Sequence, residues 1–307
     1  MSARRVAGID CGTNSIRLLI ADIDDDGRLH DVVRRMEVVR LGEGVDRTGR
    51  LADAAIERTR AALADYTAQI REHGAEAIRM VATSASRDAA NAADFTAMVE
   101  AVLGQAPEVI TGDEEARLSF TGAVATLPAH DGQRLLIDIG GGSTEFVRGT
   151  GGDVIAAISV DVGCVRMTER HLRSDPPGPA EMDAATADIT GIADRALAVA
   201  DPGREATELV AVAGTATTVA AISLGLPAYD PDAIDGTRLT YEQVAKVTAD
   251  LAAADHAARL AIPVMHPGRA DVIVGGALVL RTIMERSGIG EVLISEHDIL
   301  DGIALSA

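Results

Sequence analysis

The sequence predicts an α/β protein built as two similar domains. Three observations carry that expectation. Short apolar runs stopped by glycine-rich turns alternate with longer segments of helical periodicity. This alternation restarts from a strand-rich opening in the second half of the chain. A D-x-G-x-x-S pattern also occurs twice, as Asp10-Cys11-Gly12-Thr13-Asn14-Ser15 and as Asp138-Ile139-Gly140-Gly141-Gly142-Ser143, each time between two apolar strands.

In chain order, Val6 to Asp10 and Ile16 to Ile23 read as strands around the first of these turns. Asp24-Asp25-Asp26-Gly27 reads as a hairpin turn, and Leu29 to Leu41 as a third strand. Asp53 to His73 has helical spacing, with Asp53 as a candidate cap. Ala77 to Ala82 is a strand ending in a hydroxyl-rich turn, Thr83 to Asp88. Ala92 to Leu103 is helical, Glu108 to Thr111 a brief strand, and Gly112 to about Val124 a helix. Pro128 to Gln133 reads as a linker, and Leu135 to Ile139 as the buried strand before the second turn. Helices are expected at Cys164 to Leu172, Ala180 to Ala200, Tyr241 to Ala254, Ala270 to Arg286 and Glu296 to Leu305. Strands are expected at Val154 to Val160, Leu209 to Ala213 and Glu291 to Ile294.

Composition narrows the function. A net charge of −19 and an aromatic content of 2% argue against a nucleic-acid binder, which needs cationic surface and stacking platforms. No apolar run approaches the roughly 20 residues of a membrane span. No signal peptide is read at the start, and Cys11 and Cys164 are too few for a disulfide framework, so a cytoplasmic protein is expected. Lys246 is the only lysine, and nearly every cation is therefore an arginine, the residue suited to bidentate phosphate contacts.

The two turns suggest chemistry. Gly140, Gly141 and Gly142 carry no side chain to block a ligand, so their amides can point at phosphate oxygens. Asp138 and Glu145 add hard oxygen donors suited to Mg²⁺ rather than zinc. A plain β-hairpin is the alternative, and it leaves two acids beside the turn unexplained. Seven residues after its aspartate the first turn has Arg17, whereas the second has Glu145. One turn thus offers a cation and the other a metal-holding anion, as for a polyphosphate chain bound in a cleft between two domains.

The motifs IDCGTNSIRLL, VATSASRDA, ITGDEEARLSF, IDIGGGSTEF, VAGTATT, HPGRADVI and SEHDILDGI, from about Val6 to Ile303, resemble the exopolyphosphatase/guanosine pentaphosphate phosphohydrolase family. The resemblance is to its short form, without the C-terminal HD-type domain. It implies two actin-like (ribonuclease H-like) domains of the acetate and sugar kinase, actin and heat-shock chaperone superfamily. Their expected extents are 1–127, with helix 296–307 packing back on it, and 128–295. The activity implied is Mg²⁺-dependent hydrolysis of the terminal phosphate of inorganic polyphosphate. Guanosine pentaphosphate is the alternative substrate, and a sugar kinase or a non-catalytic polyphosphate sensor is a more distant one. Glu115 matches the family's general base, and Arg87 would neutralise charge on the transferred group. An acidic helix N-terminus is the structural alternative for Glu115 and accounts better for Asp113. Asp10, Gly12, Thr13, Asn14, Ser15, Gly140, Gly141, Gly142, Ser143, Gly214 and Thr215 are expected at phosphates, with Asp138 and Glu145 on Mg²⁺. For Gly214 and Thr215 a tight strand-to-helix turn is an equal reading. His266 and Arg269 could meet distal phosphates, and Arg17 is equally well an exposed strand arginine. A homodimer is expected.

Overall fold

A computed structural model describes residues 4–307. The chain divides into two compact units, one formed by the chain up to Gly122 with Asp298–Ala307, the other by Ala123–His297. The strands are β1 (Arg4–Cys11), β2 (Ser15–Ile23), β3 (Leu29–Val38), β4 (Ala77–Ala82), β5 (Glu108–Val109), β6 (Gln133–Ile139), β7 (Thr144–Thr150), β8 (Asp153–Val160), β9 (Ala206–Val212), β10 (Arg238–Thr240) and β11 (Glu291–Ile294). The helices of the first half are α1 (Val45–Thr48), α2 (Asp53–His73), α3 (Ser84–Asp88), α4 (Ala92–Leu103) and α5 (Gly112–Val124). Those of the second half are α6 (Cys164–His171), α7 (Pro179–Ala200), α8 (Ala213–Ser223), α9 (Pro231–Ile234), α10 (Tyr241–Ala253), α11 (His256–Leu260), α12 (Ile273–Ser287) and α13 (Ile299–Leu305).

The first sheet has the order β3-β2-β1-β4-β5, and the second, read from its β8 edge, β8-β7-β6-β9-β11-β10. In each, three antiparallel strands joined by short turns come first, and two parallel strands follow on the other side of the first strand, with β10 added antiparallel at the edge of the second sheet. The two halves therefore repeat one ribonuclease H-like plan, and the expected fold class stands.

The alternation of side chains along β1 and β2 decides what the first sheet can hold on each face. Ala7, Ile9, Cys11, Ile16, Leu18 and Ile20 face a core completed by Leu63, Tyr66 and Phe95 of α2 and α4. Val6, Leu19 and Ala21 face the other way and pack on Leu300 and Ala304 of α13. Asp10 and Arg17 share this second face by parity. Gly8 also lies there, and a Cβ on it would stand 3.1 Å from the Ala304 amide nitrogen, so glycine lets the helix lie directly on the strand. Each fully buried aliphatic side chain at such a layer contributes about 1.5–3 kcal/mol.

Several boundaries differ from the sequence expectation. The third strand ends at Val38 rather than Leu41, because Val39 and Arg40 donate their amides to the Asn14 carbonyl and Gly42 donates to that of Thr13. The chain there wraps the first turn instead of extending the ladder. Ala52, not Asp53, occupies the cap position of α2; Asp53 lies in the first turn, where its charge meets the helix dipole. The Thr83 to Asp88 segment contains a short helix, α3. The last helix begins at Ile299 because Asp298 caps it, accepting the Leu300 amide. Among the described residues no helix is long and apolar enough to cross a membrane.

Candidate active site

In the first unit the predicted residues gather at the carboxyl ends of the parallel strands β1, β4 and β5, the edge at which open α/β sheets present ligands. Thr13 Oγ1 and Ser84 Oγ lie 3.0 Å apart, which joins the first turn to α3. Arg87, at the end of α3, donates through Nη1 to the Ile110 carbonyl at 3.0 Å and reaches Glu115 Oε2 at 3.5 Å. Glu115 itself is buried in the first turn of α5. The acids of that turn separate by environment: Asp113 is exposed, and Glu114 pairs with Arg79 at 2.8 Å. Thr111 accepts the Glu114 amide at 3.2 Å and so supports the start of the helix that carries Glu115.

Arg17 is not an exposed strand arginine. It stands directly opposite Asp10 in the β1–β2 register, and its Nε and Nη2 donate to Asp10 Oδ2 at 2.9 and 2.7 Å. Its remaining terminal nitrogen donates to Asp298. Burial works against the charge of Arg17, yet the two carboxylates hold its pKa well above the ordinary value. For Asp10, burial outweighs the Arg17 contribution and pushes the carboxyl up.

In the second unit the glycine turn is held by its carbonyls. Cys164 donates to the Gly140 carbonyl, and Val165 and Arg166 donate to that of Gly141, so the first turn of α6 sits beneath the loop. Gly140 closes the turn by donating to the Ser143 carbonyl at 3.0 Å, and Arg166 Nε donates to the Gly142 carbonyl at 2.6 Å. Asp138 and Glu145 are both buried and stand directly opposite each other across β6 and β7. Glu145 Oε1 accepts the Ser159 hydroxyl at 2.6 Å.

That pair fits Mg²⁺. Both are buried carboxylates on one face of the ladder, and both supply only the hard oxygen that Mg²⁺ takes. Among the described residues no group of three or more His, Cys, Asp or Glu side chains is placed to hold a metal. Mg²⁺ does not need one, since it binds through one or two carboxylates and completes its shell with water and substrate phosphate.

Gly214 and Thr215 lie in the first turn of α8. Arg269 lies against Gly214 where a side chain would stand, and its Nη1 donates to the Gly214 carbonyl at 3.1 Å and to Thr218 Oγ1 at 3.0 Å. Thr215 is buried beside Cys164, whose thiol burial pushes up to about 11. Burial likewise raises the Cys11 thiol, so neither cysteine supplies a thiolate nucleophile at neutral pH.

Two residues of these neighbourhoods escaped the sequence reading. Arg166 lies two residues after Cys164, with nothing local to mark it. Asp298 lay inside the quoted SEHDILDGI motif, where its spacing to Asp301 is that of a capping box.

The Ppx/GppA phosphatase family model matches residues 19–307. Exopolyphosphatase 2 of Mycobacterium tuberculosis is 49% identical over 318 residues, covering 100% of this chain and 99% of that protein. The crystal structure of an exopolyphosphatase-like protein superposes with a TM-score of 0.95 at 42% identity, covering 100% and 98% of the two chains. That of the Aquifex aeolicus Ppx/GppA family member superposes with a TM-score of 0.83 at 32% identity, covering 99% and 97%. With both halves of the fold matched over nearly its full length, the chain belongs to the Ppx/GppA phosphatase family.

Proposed function

We propose that this protein is an exopolyphosphatase that hydrolyses the terminal phosphoanhydride of inorganic polyphosphate with a water activated by Glu115, using Mg²⁺ held by Asp138 and Glu145. One observation carries the reading: a buried carboxylate, Glu115, stands beside the Arg87 guanidinium at the carboxyl edge of the first sheet. The likeness to the mycobacterial exopolyphosphatase along the whole chain supports it.

In this mechanism Glu115 accepts a proton from water as the water oxygen attacks the terminal phosphorus. The bridging P–O bond breaks, and the shortened chain leaves with the bridging oxygen. Arg87 offers positive charge to the oxygens of the transferred group, where charge spreads in the transition state. Mg²⁺, when bound, neutralises charge on phosphoryl oxygens. Gly12, Thr13, Asn14 and Ser15 of the first turn, and Gly140, Gly141, Gly142 and Ser143 of the second, bind phosphate through amides and hydroxyls. The hold of α6 on the carbonyls of the second turn supports that role.

The test is phosphate release from long polyphosphate, short polyphosphate, guanosine pentaphosphate and ATP, measured side by side for the parent protein and Glu115→Gln. Polyphosphate should be the preferred substrate, and the variant should lose about 10²–10⁴-fold in rate while still binding it. A preference for guanosine pentaphosphate overturns the substrate, and near-normal turnover by Glu115→Gln overturns the base.

A further inference from the structure

We infer that Arg17 is a positioning residue for Asp10, and that Asp298 acts on the reaction through Arg17, which makes the cap of the last helix part of the catalytic arrangement. The inference rests on the proposed phosphoanhydride chemistry at the first turn, which Asp10 opens.

Asp10 is 4% exposed, and its two oxygens differ in use. Oδ2 takes both Nε and Nη2 of Arg17, whereas Oδ1 is buried with no hydrogen-bond partner among the described residues. A buried carboxylate oxygen left without a donor is costly, and native proteins keep one where water, an ion or a ligand supplies the partner. One oxygen is clamped and the other is kept for something outside the chain.

The clamp has the rigidity that positioning requires. Arg17 and Asp10 are paired by strand register, so the guanidinium cannot slide along the ladder. Its third nitrogen is fixed by Asp298, which is 2% exposed. Asp298 Oδ1 accepts the Leu300 amide at 3.0 Å, and its own amide donates to Asp301 Oδ2 at 3.1 Å. Asp301 is held in turn by Arg34 of β3 at 2.6 Å. Helix α13 is pressed on the strand at Gly8, and Gly302 lies against the backbone of Leu118. A planar guanidinium can satisfy two acceptors at fixed directions, which the single ammonium of lysine does less well. Stability alone does not call for this device, since apolar residues commonly replace a buried ion triad without loss.

The experiment is a double-mutant cycle on the full chain with Asp10→Asn, Asp298→Asn and the combination, read as kcat and KM for phosphate release. Asparagine keeps the helix cap, so Asp298→Asn folds even if Arg17 variants do not. Asp298→Asn should lower kcat about tenfold to a hundredfold with KM within about twofold, as expected for a misplaced catalytic group. The double variant should be no slower than Asp10→Asn alone. Arg17→Lys, where it folds, should restore the urea midpoint more fully than it restores kcat. Effects that multiply, a change confined to KM, or an unchanged kcat in Asp298→Asn overturn the inference. The cycle runs on whichever phosphoanhydride the parent protein hydrolyses, so a wrong substrate shows in the parent and a wrong clamp shows only in the coupling.

Discussion

The two glycine-containing turns are built alike and charged differently. In each, a glycine two residues after the aspartate donates its amide to the carbonyl of the closing serine at 3.0 Å, Gly12 to Ser15 and Gly140 to Ser143. In each, the residue seven positions after the aspartate stands directly across the ladder from it. In the first turn that residue is Arg17, and the aspartate is balanced from within the chain. In the second it is Glu145, and two buried carboxylates face each other. One cross-strand position therefore decides whether the aspartate of a turn faces a guanidinium or a second carboxylate. The supports differ as well: the stretch from Val39 to Gly42 wraps the first turn, and the start of α6 underlies the second.

Four experiments break or sharpen this contrast. Removing the internal cation should have the largest effect. Arg17→Met leaves two buried carboxylates unpaired and should cost about 3–5 kcal/mol, read by urea unfolding; Glu145→Gln, which relieves a like-charge pair, should cost much less. Next, Glu145→Gln should raise the Mg²⁺ concentration for half-maximal phosphate release by about 10–100-fold, whereas Asp10→Asn should leave it near the parent value. An unchanged Mg²⁺ requirement in Glu145→Gln would remove the metal from the second turn.

The third concerns the thiol beneath that turn. The folded pKa of Cys164 is about 11, above its ordinary value of 9.0, so the folded state binds more protons than the unfolded state between those limits. Its contribution is full below pH 9 and is lost as pH rises through 11, a loss of about 3 kcal/mol at most. Urea midpoints across that range should fall in the parent protein, and by less in Cys164→Ala. The smallest effect tests the supports. A Cβ on Gly163 would stand 2.5 Å from the Gly141 carbonyl oxygen, whereas on Gly12 the nearest atom is 3.6 Å away. Gly163→Ala should cost about 2 kcal/mol through overpacking, and Gly12→Ala should escape that steric cost. Equal losses would mean that the turns rely on their glycines in the same way.

The pattern D-x-G-x-x-S, the seven-residue spacing of Arg17 and Glu145 from their aspartates and the doubled α/β plan were legible in the sequence. So were the spans Asp53–His73, Ala77–Ala82, Ala92–Leu103 and Glu291–Ile294, which coincide with α2, β4, α4 and β11. Each depends on periodicity or turn chemistry within a few residues, and such signals are written locally. The short elements α9, β10 and α11 were missed because few residues carry their signal.

The sequence by itself determined where the chain turns, which residues alternate into cores and which acids and arginines stand near those turns. Tertiary structure decided what each charged group does. Glu114 pairs with Arg79 while Glu115 is buried beside Arg87, although the two acids are neighbours in one helical turn. Arg269 lies against Gly214 from 55 positions away, and Arg17 reaches Asp298 across 281. Such partnerships follow from strand parity, sheet order and helix docking, and a charge acquires its role only when those bring its partner within hydrogen-bonding distance.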